Sequence, residues 1–309
     1  MTINFLKYKN FFFFFSLLVI ISCIALMIIW PLKPSIEFTG GSVLEIKYQD
    51  NRPATQEVQD KIKDLGLGDV VIQQVEDKGL VLRMQSTSEE VEGIHQKVIE
   101  KLKETGNFEE QSFEAIGPVV GRELYQKTVL LVIVSLTAML LYIAFAFRNV
   151  PGPVSPWIYG LASFLMLVHD VVVPLGVFSI LGKFYGVQVT IPIITALLTV
   201  VGYAINNVIV VYDRTRENLQ RTRNINFAEI ANLSINQTLS RQINTSLAVL
   251  FPLFAMYFIS GVALKYFSLA LILGIITGTY SSIFLATPIL VAWLNFRNSR
   301  QKAKIGKKR

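Results

Sequence analysis

Two pairs of polar side chains lie inside stretches that are otherwise apolar enough to cross a membrane. His169 and Asp170 are neighbours in the third of these stretches, and Asn206 and Asn207 are neighbours in the fourth. Polar groups are costly in hydrocarbon, so both pairs should face protein or water and mark a functional site. The alternative, that each pair only holds helices together through hydrogen bonds, stays open at this point.

Four further residues could act with the second pair. Tyr203 and Asn207 are four positions apart and therefore share one face of a helix. Asp213 and Arg214 come at the end of the same stretch, with Asp213 about 9 Å beyond Asn207 at ~1.5 Å per residue. Arg241 lies where the fifth stretch begins and can be drawn toward the level of Asn207. A guanidinium there needs an anionic partner or water.

Composition indicates that these stretches are membrane spans. The chain has 309 residues, of which 52% are hydrophobic and 17% charged, and its mean hydropathy is +0.49. This balance excludes disorder and argues against a purely soluble fold. We therefore predict a polytopic α-helical membrane protein with six transmembrane helices. The predicted spans are Phe11–Trp30, Thr128–Phe147, Trp157–Leu181, Val189–Tyr212, Ser246–Leu264 and Phe267–Leu294.

The charges predict how the chain is oriented. The segment 31–125 is acidic, although the whole chain carries a net charge of +7. Basic residues concentrate at the N-terminus, in the loop 213–243 and in the tail 296–309. Because basic residues favour the cytoplasmic side, both termini are predicted to be cytoplasmic and segment 31–125 to be translocated. The basic residues lie beside apolar spans, and this position favours contact with anionic lipids over contact with nucleic acid.

The translocated segment is predicted to be a small α+β domain between the first span, in residues 1–30, and the other five, in residues 126–295. Its elements follow in the order β-α-β-β-α-β, which is the ferredoxin-like arrangement. They are Ser42–Tyr48, the helix Thr55–Leu65, the hairpin strands Val70–Glu76 and Gly79–Gln85, the helix Ser88–Thr105 and the strand Phe108–Ile116.

Glycines border this domain on both sides. Gly117, Pro118 and Gly121 join it to the second span, where they could form a hinge for a rigid-body swing or an ordinary turn. Gly40 and Gly41 precede the first strand and could form an entry turn or part of a contact with a partner. The residue types alone do not decide between these interpretations.

Several chemistries are excluded or disfavoured. The single cysteine, Cys23, excludes an intrachain disulfide and a multi-cysteine zinc site. The sequence contains no phosphate-binding loop, so work must come from a partner or an ion gradient. An intramembrane enzyme built on His169 and Asp170 would lack a second catalytic cluster. We therefore expect neither enzyme activity nor a cofactor.

Together the motifs resemble those of the SecD/SecF family of protein-export membrane proteins, on its SecF side. The similarity covers nearly the whole chain, and the order and spacing of the motifs make it specific. The motifs are Phe38–Gly41, Gly117–Leu124, His169–Asp170, Gly176–Ser179, Gly202–Tyr203, Asp213–Asn218 and Ser234–Arg241.

This resemblance implies a role in the late steps of protein export, driven by the proton-motive force. The six spans would be one half of an RND-type membrane unit, and an obligate SecD partner would supply the other half. The SecYEG channel, SecA indirectly and the exported unfolded polypeptide are the further implied partners. The implied location is the plasma membrane or an internal energy-transducing membrane. A proton-driven RND-type exporter of lipids or small molecules is the alternative, although the chain has no internal repeat of its domain and spans.

The resemblance also implies a proton relay, with one departure. Arg241 matches the family's arginine, but Asn207 occupies the position of the family's aspartate. An amide cannot titrate, so Asn207 cannot carry the proton. Either SecD supplies the titrating carboxylate beside Arg241, or coupling is weakened or rerouted through His169 and Asp170. We favour the first account because it neutralises Arg241 without a new pathway.

Overall fold

The structure is a computed structural model that describes residues 3–68, 70–75, 77–84, 91–148, 153–221 and 226–306. The chain forms two compact units. One unit contains residues 1–29, 132–177 and 192–309, and the other contains residues 30–131 and 178–191.

Six helices among the described residues are long and apolar enough to span a membrane, which confirms the predicted number. The first five are α1 (Lys9–Ile29), α5 (Pro118–Ala146), α6 (Pro156–Tyr185), α7 (Ile191–Arg221) and α8 (Phe227–Ile259). The sixth span is built from α9 (Val262–Ser281), a π-helical turn (Ser282–Ala286) and α10 (Thr287–Gly306).

The sixth span packs closely along α7 through small residues. A Cβ on Gly278 would lie 3.0 Å from the Cβ of Ala204, and a Cβ on Gly274 would collide with Val200. The two glycines are four residues apart, so they form one small-residue seam of the kind that lets membrane helices approach closely. This seam fixes the register of α7 against the sixth span.

The region predicted as the loop 213–243 is mostly helical in the structure. Helix α7 continues to Arg221 and α8 already begins at Phe227, so the two helices extend beyond their apolar parts. Asn218 on α7 donates hydrogen bonds to Ser234 (2.9 Å) and Gln237 (2.8 Å) on α8. Polar side chains paired between two helices stabilise them without apolar composition, which hydropathy alone does not detect.

The second unit contains a four-stranded antiparallel sheet with the strand order β2-β3-β1-β4. The strands are β1 (Gly41–Tyr48), β2 (Val70–Val75), β3 (Gly79–Met84) and β4 (Phe108–Ile116), and the helices are α3 (Thr55–Ile62) and α4 (Val91–Lys103). This confirms the ferredoxin-like domain. The predicted ends at Glu76, Gln85 and Ser88 lie outside the described residues.

Alternation along the strands explains why this domain folds. Leu44 and Ile46 of β1 and Leu80 and Leu82 of β3 point to one face of the sheet and are fully buried. Val58, Ile62, Val98 and Leu102 of the two helices cover that face. The i, i+4 spacing of these residues in both helices places them on a single face.

The bordering glycines form a packed junction in the second unit. A short helix, α2 (Ile36–Thr39), ends at Gly40, whose φ of 77° and ψ of 165° only glycine readily adopts. A Cβ on Gly121 would lie 2.8 Å from the backbone nitrogen of Gly40, and a Cβ on Gly41 would lie 2.5 Å from the backbone oxygen of Met84. Gly40 and Gly41 therefore form the entry turn of β1, and the close approach of Gly121 requires a residue without a side chain.

Replacing Gly40 with alanine should destabilise this junction by about 1–3 kcal/mol from backbone strain alone. The added Cβ would also lie 2.7 Å from the Cα of Pro118, a backbone atom that cannot move aside cheaply. Thermal unfolding of the full chain in mild detergent measures the effect. The matched control is Gly117→Ala, because a Cβ there has no atom within 4 Å. Equal melting temperatures for both variants would contradict the assigned role of Gly40.

Candidate functional site

The predicted pair on α6 forms a buried, hydrogen-bonded carboxylate site. The Nδ1 atom of His169 lies 3.0 Å from Oδ1 of Asp170, and the hydroxyl of Ser281 donates to Oδ2 at 2.7 Å. Asp170 is completely buried and His169 is nearly so. Both carboxylate oxygens therefore have partners, and the pair links α6 to the sixth span.

Ser281 belongs to a run of four hydroxyl residues that the sequence analysis missed. The run is Thr279–Ser282, and its last residue, Ser282, begins the π-helical turn. Each residue of the run contacts a different side chain. The available signal was a polar run after Gly278 in an otherwise apolar span. The contacts are Thr279 to Ser246 (2.6 Å), Tyr280 to Ser16 (2.9 Å), Ser281 to Asp170 (2.7 Å) and Ser282 to Gln242 (2.6 Å).

The two asparagines of α7 occupy different environments. Asn207 is 2% exposed, and its Nδ2 atom has no hydrogen-bond partner among the residues that the structure describes. Asn206 is exposed on the surface of the helix. Tyr203, one turn before Asn207, donates its hydroxyl to Ser246 of α8 at 2.9 Å. The buried amide of Asn207 thus has a donor available, while Asn206 faces away from the packed interior.

Arg241 is exposed on α8, and its guanidinium has no hydrogen bond or ion pair with any described residue. The next residue, Gln242, is buried and accepts a hydrogen bond from Ser282. Buried Gln242 therefore orients this turn of α8 so that Arg241 points outward.

The helix contacts give Arg241 and Asn207 similar positions along the bundle. Ala204 meets Gly278 and Tyr212 meets Ala286, so α7 and the sixth span run side by side in one register. Asn207 is therefore level with Ser281 and Ser282, one turn after Gly278 at ~5.4 Å per turn. Because Gln242 bonds to Ser282, Arg241 lies within about one turn of that level.

Asp213 and Arg214 lie apart from this level, near the end of α7. Asp213 pairs with Arg216 (3.1 Å), and Arg214 donates its Nε–H to Gln237 at 2.6 Å. Exposed ion pairs of this kind contribute little to stability. We call this region the arginine-rich end of the bundle, defined by Arg148, Arg214, Arg216 and Arg221.

The chemistry available to the buried groups is proton exchange and hydrogen bonding. A carboxylate beside an imidazole can accept and release a proton, and hydroxyl groups can turn to follow the change. Among the described residues, no group of three His, Cys, Asp or Glu side chains is placed to hold a metal ion.

The helices and their buried polar groups define a polytopic α-helical membrane protein with a ferredoxin-like domain between its first two spans. Residues 97–296 match the family described as protein export membrane protein SecD/SecF, C-terminal. The protein translocase subunit SecF of Thermobaculum terrenum is 37% identical over 306 residues, which cover 95% of this chain and 94% of the relative. SecF of a Synechocystis strain is 34% identical and covers 92% of each chain. The chain belongs to the SecD/SecF family.

A solved structure shows the same fold. The crystal structure of SecDF from Thermus thermophilus, a translocon-associated membrane protein, matches with a TM-score of 0.84 and 34% identity. The match covers 96% of this chain but 39% of the SecDF chain, so this chain corresponds to only part of that protein. These relatives are translocase proteins, and nothing in the described residues favours the alternative of a lipid or small-molecule exporter.

Proposed function

We propose that the chain is a SecF subunit that works with SecD beside the SecYEG channel and uses the proton-motive force in late steps of protein export. The support is the 37% identity to a translocase subunit SecF along nearly the full length of both chains. This chain matches about two fifths of the SecDF chain, and we assign the role of the unmatched part to a separate SecD.

The charge distribution supports a specific orientation. Both termini, the residues 213–243 and the tail 296–309 would be cytoplasmic, so the arginine-rich end is the cytoplasmic end. The ferredoxin-like domain within 31–125 would lie on the outer side, where it could meet the exported unfolded polypeptide. SecA would act only indirectly through the channel, from the cytoplasmic side. The membrane is the plasma membrane or an internal energy-transducing membrane.

Arg241 is the centre of the proposed coupling mechanism. Its exposed guanidinium extends from a membrane-spanning helix without an acidic partner in the described part of this chain. An unpaired charge at that depth is costly, so an acid from another subunit would be strongly favoured there. We assign that acid to SecD. The positive charge would hold this carboxylate ionised until a proton arrives, and protonation would weaken the pair.

Asn207 and the buried pair have different roles in this mechanism. Asn207 cannot titrate, and its Nδ2 donor, which has no partner among the described residues, suits a bound water or a hydrogen-bonded relay at the same level as Arg241. His169 and Asp170 already satisfy one another together with Ser281, so they primarily join α6 to the sixth span. Coupling rerouted through Asp170 is the second account, and substitutions of Arg241, Asn207 and Asp170 separate the two.

Aromatic and basic residues near the cytoplasmic end support contact with anionic lipids. The guanidinium of Arg297 lies 5.6 Å from the ring centroid of Trp293, and that of Arg300 lies 4.4 Å from Phe296. Cationic side chains near interfacial aromatic rings are favourably placed to meet negatively charged headgroups.

A photo-reactive residue placed on the Arg241 face should cross-link this chain to SecD. Asn244 is exposed close to Arg241 on α8, so Asn244 is the position to replace. The matched control is Leu18 on α1, which is 53% exposed but on a different helix. We expect a SecD adduct from position 244 and none from position 18, measured by immunoblotting after irradiation of intact membranes.

Purification in mild detergent provides the second arm of this test. SecD and channel subunits should copurify with the tagged chain. An active homo-oligomer without SecD, or cross-linking to SecD only from position 18, would contradict the proposed arrangement.

A further inference from the structure

The short segment that leads from the first span into the ferredoxin-like domain lies against the connection between α6 and α7. We call this segment, residues 30–37, the strap. At its first residue, the hydroxyl of Ser179 on α6 donates to the carbonyl oxygen of Trp30. The centroid of the Trp30 ring lies 5.5 Å from that of Phe184, near the end of α6. The strap therefore begins in contact with the last two turns of α6.

The middle of the strap pairs with the connection between α6 and α7 through backbone hydrogen bonds. The N–H of Val189 donates to the carbonyl oxygen of Lys33 at 2.7 Å, and the N–H of Ser35 donates to that of Val189 at 3.0 Å. Pro34 is the bridge partner of Val189. Because the residues on either side of Pro34 make both bonds, its missing N–H leaves no bond unmade.

The last residue of the strap, Glu37, holds the start of α7. Its Oε2 atom accepts hydrogen bonds from the backbone N–H of Ile191, the first residue of α7, and from the hydroxyl of Ser35 at 3.0 Å. The first N–H groups of a helix lack partners within it and carry a partial positive charge, so a carboxylate is favoured there. Glu37 also belongs to α2, which ends at the entry turn of the domain. One carboxylate thus joins the entry of the domain to α7.

Capping alone does not explain why this carboxylate comes from a distant part of the chain. Threonine is among the residue types that cap helices well, and Thr190 directly precedes α7. Glu37 is separated from Ile191 by 154 positions. Moreover, residues 178–191 form one compact unit with residues 30–131, which contain the strap and the domain. The contacts of the strap therefore connect two separate segments as well as completing one helix end.

We propose that Glu37 is a positioning residue that makes the ferredoxin-like domain and the first turn of α7 move as one body. The domain continues into α5 after β4, and the strap gives it a second attachment, to the helix that carries Tyr203 and Asn207. A displacement of the domain would then shift α7, because a helix transmits movement as a rigid element. This inference rests on the proposed export function and adds the connection through which the domain acts on α7.

A disulfide across the strap tests whether connection, not capping, is the role of Glu37. Pro34→Cys and Val189→Cys are combined in a Cys23→Ala background, since paired strands are about 4.8 Å apart and this distance suits a disulfide. Glu37→Ala should lower the gradient-dependent rate of export at least about tenfold, because a small misplacement of a functional helix is costly. The disulfide should restore most of this rate, and its reduction should remove the rescue. Ile191 stays without its carboxylate in both states.

Hydrogen exchange of the full chain in mild detergent gives a readout apart from export. Glu37→Ala should speed exchange of the Val189 amide as well as the Ile191 amide by at least about tenfold, because paired segments open together. Glu37→Gln, which keeps an acceptor oxygen without the charge, should show a smaller effect in the same direction. The matched control is Glu45→Ala, a half-buried carboxylate of the same domain on β1, which should leave both amides protected.

Two results would overturn the positioning role of Glu37. One is faster exchange at Ile191 alone, and the other is an export defect that the disulfide does not relieve. Either result would make Glu37 a local cap. The proposed function fails separately, if Arg241→Ala leaves gradient dependence intact, and hydrogen exchange then still decides whether the strap holds the start of α7.

Discussion

Arg241→Ala is expected to remove most of the gradient-dependent part of protein export. Without the guanidinium, the acid that we assign to SecD loses the positive charge that favours its ionised form, so it would stay protonated and no longer cycle. We expect at least a tenfold loss of the gradient-dependent rate, which corresponds to only about 1.4 kcal/mol. The measurement is translocation of an exported protein into membrane vesicles, with and without a proton gradient.

Two further variants separate the possible locations of the titrating acid. Arg241→Lys keeps a positive charge but not the planar geometry, so it should retain part of the gradient dependence. Asn207→Asp restores the family's carboxylate and should change the rate little if SecD already supplies the acid. The assignment is contradicted if neither Arg241→Ala nor Asn207→Asp alters gradient-dependent export. It is also contradicted if Asp170→Asn alone abolishes this dependence, since the route through His169 and Asp170 would then carry the proton.

Periodicity predicted the ferredoxin-like domain because each element has one buried face. Leu44 and Ile46 alternate with more exposed residues in β1, and Val58 and Ile62 recur at helical spacing in α3, so both patterns are readable without tertiary information. The membrane spans were equally readable from apolar length. In each case the physical signal is contained in residues that are close in sequence.

Helix ends were less predictable because tertiary contacts decide them. The first three turns of α8 contain Asn232, Asn236 and Gln237, which read as a polar loop. In the structure, Asn232 and Asn236 hold the backbone oxygen of Ile3 at 3.1 and 2.8 Å, and Gln237 accepts from Asn218. These partners are distant in sequence, so no local pattern reveals that the segment is a paired helix.

Some residues of the candidate site could also be predicted from the sequence, and others could not. Asp170 could be recognised because a charge within an apolar span is rare. Arg241 precedes the predicted span Ser246–Leu264 and was identified from its match to the family motif. Thr279–Ser282 could not be recognised, since hydroxyl residues are tolerated in membrane helices and differ little in hydropathy from small apolar ones. Adjacent positions on a helix point about 100° apart, so whether Asn206 or Asn207 is buried depends on where the neighbouring helices lie.

The site contains two charged groups in membrane-spanning helices, Asp170, which is buried, and Arg241, which is exposed. Asp170 is hydrogen-bonded by His169 and Ser281 of the same chain, whereas Arg241 has no ion pair among the described residues, and we assign its counter-charge to a partner. A self-sufficient pair contributes to the stability of the isolated chain. An unpaired charge on the surface instead contributes to assembly and coupling, because its cost is relieved only when the second subunit binds.

Asp170→Ala should therefore be the most destabilising single substitution at the site. It leaves the imidazole of His169 and the hydroxyl of Ser281 buried without their partner, and breaking a buried pair in this way costs about 3–5 kcal/mol. Asp170→Asn keeps an acceptor and should cost less. Ser281→Ala removes one neutral donor and should cost about 1–3 kcal/mol, since one carboxylate oxygen loses its bond.

Thermal unfolding of the purified chain in detergent measures these costs. We expect Asp170→Ala to unfold at a lower temperature than Ser281→Ala, and Asp170→Asn to be milder than Asp170→Ala. If Asp170→Ala unfolds no earlier than Ser281→Ala, the carboxylate does not hold α6 to the sixth span, and a role in proton transfer would become the better account of its burial.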